Sequence, residues 1–205
     1  DEDRLGGDAA RVLAVTPYYV RPTQSGLLAH YQAVAESAQV PVILYNVPGR
    51  TGCDLLPATV ARLATHPNVC GIKEARAEPE RMAALLALQG PDFDVLSGDD
   101  GTALRAMTAG ARGVISVAAN IVPAAFSRLC ACARQGDTRT AAAIDASLAG
   151  LYEALGVESN PIPAKYLLAR LDRCRDVLRL PLQPLAEQHR AAVQAALAAA
   201  LSAEA

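Results

Sequence analysis

The feature that most constrains the fold is the alternation of short apolar runs with segments of helical periodicity. The apolar runs are 11–16, 40–45, 69–73, 93–98 and 113–117. Each run is continuously apolar, which is typical of strands that are buried on both faces of a parallel sheet. The sequence therefore predicts an α/β protein with five parallel strands joined by right-handed crossovers.

Helical patterns fill the intervals between these strands. They cover 24–37, 57–64, 79–88, 102–109 and 123–134, and three of them start at or near a proline, as the first turn of a helix allows. After residue 136 no further strand is indicated, and 138–155, 163–171 and 183–200 have helical patterns. We therefore predict a βα array over residues 1–136 and a C-terminal helical domain over 137–205.

Composition excludes several classes of protein. The 205 residues are 52% hydrophobic and 20% charged, which is too apolar for an intrinsically disordered chain. A formal net charge of −2 and the absence of a membrane-length apolar run exclude nucleic acid and membrane as expected partners. The five scattered cysteines do not resemble a disulfide framework, and the acidic N-terminus is not a signal peptide. We therefore expect a cytoplasmic protein.

Lys73 has the most informative position of any polar residue. It ends the apolar run at 69–73, and the carboxyl ends of parallel strands carry the chemistry of α/β folds. A buried lysine loses hydration, which favours the neutral amine that Schiff-base chemistry with a carbonyl substrate requires. The alternative is an ion pair with Glu74, but successive strand residues point to opposite faces. Lys165 is the other lysine of the chain, and it is expected to be a solvated side chain.

Other polar residues follow the neighbouring strands. Tyr45 ends the run at 40–45 and is either a core tyrosine or a proton relay. Arg50 lies in a Pro-Gly-Arg-Thr-Gly turn, where an arginine either grips a carboxylate or is simply solvated. Tyr18 and Tyr19 form an aromatic pair on a loop, and their alternative role is packing against a helix or subunit. The adjacent Asp99 and Asp100 alone do not indicate a metal site.

Six motifs together resemble the dihydrodipicolinate synthase / N-acetylneuraminate lyase family of class I aldolases. They are VTPYYVRP at 15–22, LYNVPGRTG at 44–52, GIKEA at 71–75, LSGDD at 96–100, GVISV at 113–117 and NPIP at 160–163. The motifs follow the order and spacing of the family, and the resemblance covers the chain from residue 11 onward.

The resemblance implies a (β/α)8 TIM barrel followed by a small helical domain. The five predicted strands match the last five of the barrel, so the chain is expected to be truncated at its N-terminus relative to the family. The family's Gly-Thr-Thr-Gly-Glu-type motif has no match here. The runs at 11–16 and 113–117 would then be open edges, which predicts that the chain alone is poorly stable or pairs its edges with another chain.

The resemblance also implies catalytic roles for three residues. Lys73 matches the lysine that forms a Schiff base with pyruvate, and Tyr45 matches the tyrosine beside it that relays protons. Tyr19 matches the tyrosine that each subunit lends to its neighbour's active site, which implies a homodimer or homotetramer.

Substrate-binding roles follow from the same resemblance. Arg50 matches the arginine that receives the carboxylate of the second substrate. Gly98 and Ile115 match positions that line the pyruvate pocket.

The Gly-Arg-Thr step at 49–51 resembles synthase members of the family more than lyases. The implied reaction is the condensation of pyruvate with aspartate semialdehyde towards diaminopimelate and lysine, with no cofactor and no metal. Two alternatives remain open. One is a related pyruvate-dependent lyase or aldolase acting on another 2-oxo acid adduct. The other is a non-catalytic truncated homologue that acts as an interaction subunit, which the missing threonine motif favours.

Overall fold

The computed structural model describes residues 10–76 and 78–204. Its strands form one parallel sheet in sequence order, which confirms the predicted parallel architecture. The strands are β1 (Val12–Val15), β2 (Val42–Asn46), β3 (Val69–Glu74), β4 (Asp94–Ser97) and β5 (Gly113–Val114). This order puts β1 and β5 at the two edges of the sheet.

Helices follow the strands much as the periodicity predicts. They are α1 (Gln24–Ser37), α2 (Pro48–Thr51), α3 (Pro57–Leu63), α4 (Pro79–Leu86), α5 (Asp100–Thr108), α6 (Pro123–Gln135), α7 (Thr138–Leu155), α8 (Ile162–Arg170) and α9 (Glu187–Glu204). Prolines at 57, 79 and 123 occupy the first turn of their helices. The pattern does not predict α2, because a single turn is too short to show a helical period.

The chain divides into two compact units. The first comprises the residues up to Asp99 together with Ala109–Ile115, and it contains the whole sheet. The second comprises Asp100–Thr108 and the residues from Ser116 onward, and it is helical. The division of the chain at residue 136 remains a prediction.

The sheet of the first unit has two unlike faces. One face is buried in β2 and β3, where it carries Val42, Leu44 and Ile72, and Tyr31 of α1 donates its hydroxyl to the backbone of β1. On the other face, apolar side chains of β1 such as Leu13 are more than one third exposed. The alternation of strand side chains therefore separates a dry face from a partly open one.

The second unit buries apolar side chains from each of its long helices. Phe126 of α6, Leu148 and Leu151 of α7, Leu167 of α8 and Val193 of α9 are almost completely buried. Within the described residues, none of these or the other helices combines the length and apolar character needed to cross a membrane.

Candidate active site

Lys73 and Tyr45 lie side by side at the carboxyl ends of two neighbouring strands. They are partners in the register of β2 and β3, so their side chains leave the sheet on the same face. The Nζ atom of Lys73 lies 4.2 Å from the centroid of the Tyr45 ring. Lys73 is only 9% exposed, so its amine has lost most of its contact with bulk water. The structure thus brings together the two residues that the sequence singles out.

Gly98 leaves the space that the Lys73 side chain fills. A Cβ atom at position 98 would lie 2.9 Å from Cε and 3.0 Å from Cγ of Lys73, closer than such atoms normally approach. The Gly98 N–H donates to the carbonyl of Glu74 at 2.7 Å, which holds the segment after β4 against β3. This close approach therefore favours glycine at 98, because a larger residue would have to displace the lysine side chain.

The Tyr45 phenol is protonated at neutral pH. Burial raises the pKa of Tyr45 above its ordinary value of 10, and the positive charge of Arg50 acts in the opposite direction. A neutral phenol donates one hydrogen bond and accepts others, so it can pass a proton in either direction. Arg50 belongs to α2, which follows β2, and its charge acts on the Tyr45 phenol.

An open cleft of about 600 Å³ lies beside α2. It is lined by Tyr18, Tyr19, Arg21, Arg50, Thr51 and Gly52. Tyr19 is 90% exposed, and its backbone has a φ of 72°, in the left-handed region that non-glycine residues rarely adopt. The Tyr19 N–H donates to the Thr51 carbonyl at 3.2 Å, which fixes this backbone beside α2. Its ring is therefore almost fully exposed in this chain.

Ile115 and Thr16 complete the carboxyl edge of the sheet. The Ile115 N–H donates to the carbonyl of Ser97 at 2.9 Å and continues the pairing of β4 with β5 by one residue. Thr16 is fully buried, and its hydroxyl donates to that of Thr51 at 3.1 Å. Thr16 was not predicted as a site residue, although a threonine directly after a buried strand is a detectable signal.

A network of charged side chains on the opposite face was also missed. Glu74 accepts hydrogen bonds from Asn46 and from Arg81, whose Nε lies 2.7 Å from the carboxylate. Asp54 accepts from Arg81, from Asn46 and from Arg76. Glu74 therefore points to the face that strand alternation predicts, away from the preceding lysine. The signal in the sequence was that a polar residue directly follows both the tyrosine and the lysine of the candidate site.

The described part of the chain contains no group of three or more His, Cys, Asp or Glu side chains that could hold a metal ion. The polar groups that the structure places at the candidate site are an amine, a phenol and a guanidinium.

Comparisons with known proteins identify the family of the chain. Residues 2–200 match the Dihydrodipicolinate synthetase family. The chain is 58% identical over 197 residues to the 4-hydroxy-tetrahydrodipicolinate synthase of Xanthomonas axonopodis pv. citri, an alignment covering 96% of this chain and 65% of that protein. The chain thus spans less than two thirds of the length of this relative.

Solved structures show the same fold. A chloride-inhibited dihydrodipicolinate synthase from Acinetobacter baumannii, complexed with pyruvate, is similar with a TM-score of 0.91 and 47% identity, covering 97% of this chain and 67% of that one. A protein described as the first monomeric dihydrodipicolinate synthase variant has a TM-score of 0.91 and 40% identity, with the same coverage. These matches confirm the TIM-barrel fold class and the resemblance seen in the six motifs. The chain belongs to the dihydrodipicolinate synthetase family.

Proposed function

We propose that the protein condenses pyruvate with aspartate semialdehyde to 4-hydroxy-tetrahydrodipicolinate, a step of lysine and diaminopimelate biosynthesis. The observation that carries the proposal is the buried Lys73 amine, 4.2 Å from the centre of the Tyr45 ring at the end of a parallel strand. Chemistry in this class of fold is concentrated at that edge of the sheet. The name of the Xanthomonas relative supports the choice of reaction.

Lys73 is the nucleophile of the proposed reaction. Its Nζ attacks the C2 carbonyl carbon of pyruvate, and loss of water leaves a protonated imine. The positive imine withdraws electrons from the methyl group, which loses a proton to give an enamine. The enamine carbon then attacks the aldehyde carbon of aspartate semialdehyde, and the aldehyde oxygen takes up the proton that left the methyl group. The amino group of the added semialdehyde attacks the imine carbon, which closes the ring and releases the Lys73 amine. The protonated imine is the electron sink, so the proposed mechanism uses no metal and no cofactor.

Tyr45 is the proton relay. It gives a proton to the departing hydroxyl group as the imine forms, and it takes one from the attacking amine. We propose that Tyr19 of a second copy continues this relay. The exposure of Tyr19 supports an interface between copies, in a homodimer or homotetramer.

Arg50 is proposed to bind the carboxylate of aspartate semialdehyde, since a guanidinium matches the two oxygens of a carboxylate. Gly98 and Ile115 border the space that pyruvate would take. The five cysteines are free thiols, which supports a reducing cytoplasm as the location.

The proposal is tested by trapping the imine. The purified chain is incubated with pyruvate and borohydride, and the intact mass and the modified peptide are measured. We expect a reduced pyruvate adduct on Lys73, which Lys73→Arg abolishes and Lys165→Arg leaves unchanged. Turnover with aspartate semialdehyde, compared with other aldehydes, then separates the synthase from a related lyase.

An absent adduct, with the Xanthomonas relative labelling normally beside it, contradicts the proposal. Co-purification of the unlabelled chain with a longer homologue would then favour the non-catalytic subunit.

A further inference from the structure

We propose that Asn46, Glu74 and Arg81 are positioning residues for Lys73 and Tyr45. Their buried network fixes the carboxyl ends of β2 and β3 against each other, on the face opposite the candidate active site. The catalytic consequence of this inference rests on the proposed function. Its structural consequence, the accessibility of the Lys73 amine, is measured without any catalytic activity.

The link between the two strands lies directly beside the candidate site. Asn46 and Glu74 are the last residues of β2 and β3, and they follow the Tyr45–Lys73 pair in the same register. The Asn46 Nδ2 lies 3.0 and 3.1 Å from the two carboxylate oxygens of Glu74. Asn46 is 0% exposed and Glu74 is 1% exposed, so this bond is shielded from bulk water.

Arg81 joins the strand ends to the segment that precedes α3. Its side chain, 9% exposed, donates from Nε to Glu74 at 2.7 Å and from Nη1 to Asp54 at 3.2 Å. Nη2 also donates to the Leu55 carbonyl at 2.5 Å, and the Leu55 N–H donates to Asn46 Oδ1 at 2.9 Å. Each of these hydrogen bonds therefore joins two residues that are themselves held by a further hydrogen bond of the network.

The electrostatics favour a geometric role over a purely stabilising one. Burial raises the pKa of the Glu74 carboxyl, while hydrogen bonds from Arg81, the Arg76 N–H and Asn46 favour its ionised form. A buried ion pair gains little stability over an apolar pair of the same size, because both charges lose their hydration. Catalytic side chains must be held to within about 0.5 Å, and fixed bonds immediately behind them provide this.

The test compares two asparagine-to-alanine variants. Asn46→Ala breaks the link behind Lys73 without changing any charge. Asn68→Ala is the matched control, since the Asn68 amide donates to the carbonyls of Ala35 and Ala38 at 2.8 and 3.0 Å, at the amino end of β3. Both variants lose side-chain amide bonds in the first unit, buried ones at Asn46 and part-buried ones at Asn68, and only Asn46 adjoins the site.

Two rates are measured on each variant. The first is acetylation of Lys73 by acetic anhydride relative to Lys165, read by peptide mass spectrometry. The second is formation of the borohydride-trapped pyruvate adduct over a range of pyruvate concentrations. We expect Asn46→Ala to raise relative acetylation of Lys73 about threefold, because a loosened strand end admits the reagent. We expect the limiting rate of adduct formation to fall roughly tenfold with little change in half-saturation, since orientation is lost.

Equal acetylation ratios in Asn46→Ala and Asn68→Ala would overturn the inference, whether or not pyruvate reacts. A wild-type chain that forms no adduct refutes the proposed function alone, because the acetylation ratio still reports on positioning. If Asn46→Ala does not fold, Arg81→Lys is measured instead. Lysine keeps the positive charge but lacks the branched guanidinium that reaches Glu74 and Asp54 together. An acetylation ratio in Arg81→Lys that equals the Asn68→Ala ratio would also overturn the inference.

Discussion

Replacing Gly98 with alanine puts a methyl group into space that the Lys73 side chain now occupies. The new Cβ would lie 2.9 Å from Cε and 3.0 Å from Cγ of Lys73, and 3.2 Å from the Cβ of Ala75. Carbon atoms in contact prefer about 3.5–4.0 Å, so the lysine must retreat by about 0.6–1 Å. The Gly98 N–H also donates a hydrogen bond to the Glu74 carbonyl at 2.7 Å, which limits any compensating shift of the Gly98 backbone.

A displacement of this size affects reactivity more than stability. A misplacement of about 1 Å at a reacting group can cost up to ~100-fold in rate. We therefore expect adduct formation with pyruvate at Lys73 to slow by roughly 10- to 100-fold in Gly98→Ala. The overpacking itself is expected to lower the free energy of unfolding by about 1–3 kcal/mol.

The assay is the borohydride-trapped mass increase followed over time, with unfolding in urea measured in parallel. Gly113→Ala is the matched control in β5, because a Cβ there would meet its nearest atom, Leu96 Cδ2, at 3.8 Å. The control is expected to react at the wild-type rate. A folded Gly98→Ala chain that labels as fast as wild type would show that the amine tolerates displacement, and the steric reasoning would be refuted.

Three further predictions concern single side chains. Tyr45→Phe keeps the ring beside the lysine but removes the hydroxyl, so trapped adduct formation should slow by about 10²-fold or more in mass measurements. Arg50→Gln should raise the pKa of Tyr45 further, since the guanidinium opposes the effect of burial; ultraviolet titration above pH 10, with Tyr45→Phe as reference, measures this. Asp137→Ala should lower Tm at neutral pH, because the Thr140 hydroxyl and N–H lower the pKa of Asp137 at the start of α7. That Tm difference should persist above the unfolded pKa of about 3.9 and vanish as pH falls through the lower folded value.

The sequence predicts most of the secondary structure because each element carries its own local signal. The last apolar run is the exception, since β5 ends at Val114 although the run continues to Val117. There the backbone N–H groups of Val117 and Ala118 donate to the Asp100 carboxylate instead of a neighbouring strand. The carboxylate of a residue distant in sequence thus replaces the neighbouring strand as hydrogen-bond acceptor. No local sequence pattern reveals such a contact.

The candidate site was predictable to the same extent. Lys73 and Tyr45 each end an apolar run, and strands that follow one another in sequence usually pair in a parallel sheet. The position of Arg81 behind them was not predictable, because it depends on how α4 packs. The strained backbone of Tyr19 also escaped prediction, because its φ of 72° is set by the bond to Thr51.

The pairing of Tyr45 with Lys73 depends on an irregularity between β2 and β3. Val42 pairs with Val69, but the next residue, Ile43, pairs with Gly71, so one residue of β3 is passed over. Without that shift Tyr45 would pair with Ile72, and the phenol and the amine would leave opposite faces of the sheet. A Cβ at Gly71 would lie 2.5 Å from the Asp94 carbonyl, so only glycine lets β4 approach just after the shift. The glycine of the GIKEA motif is therefore part of what brings the reactive pair together, two residues before the lysine.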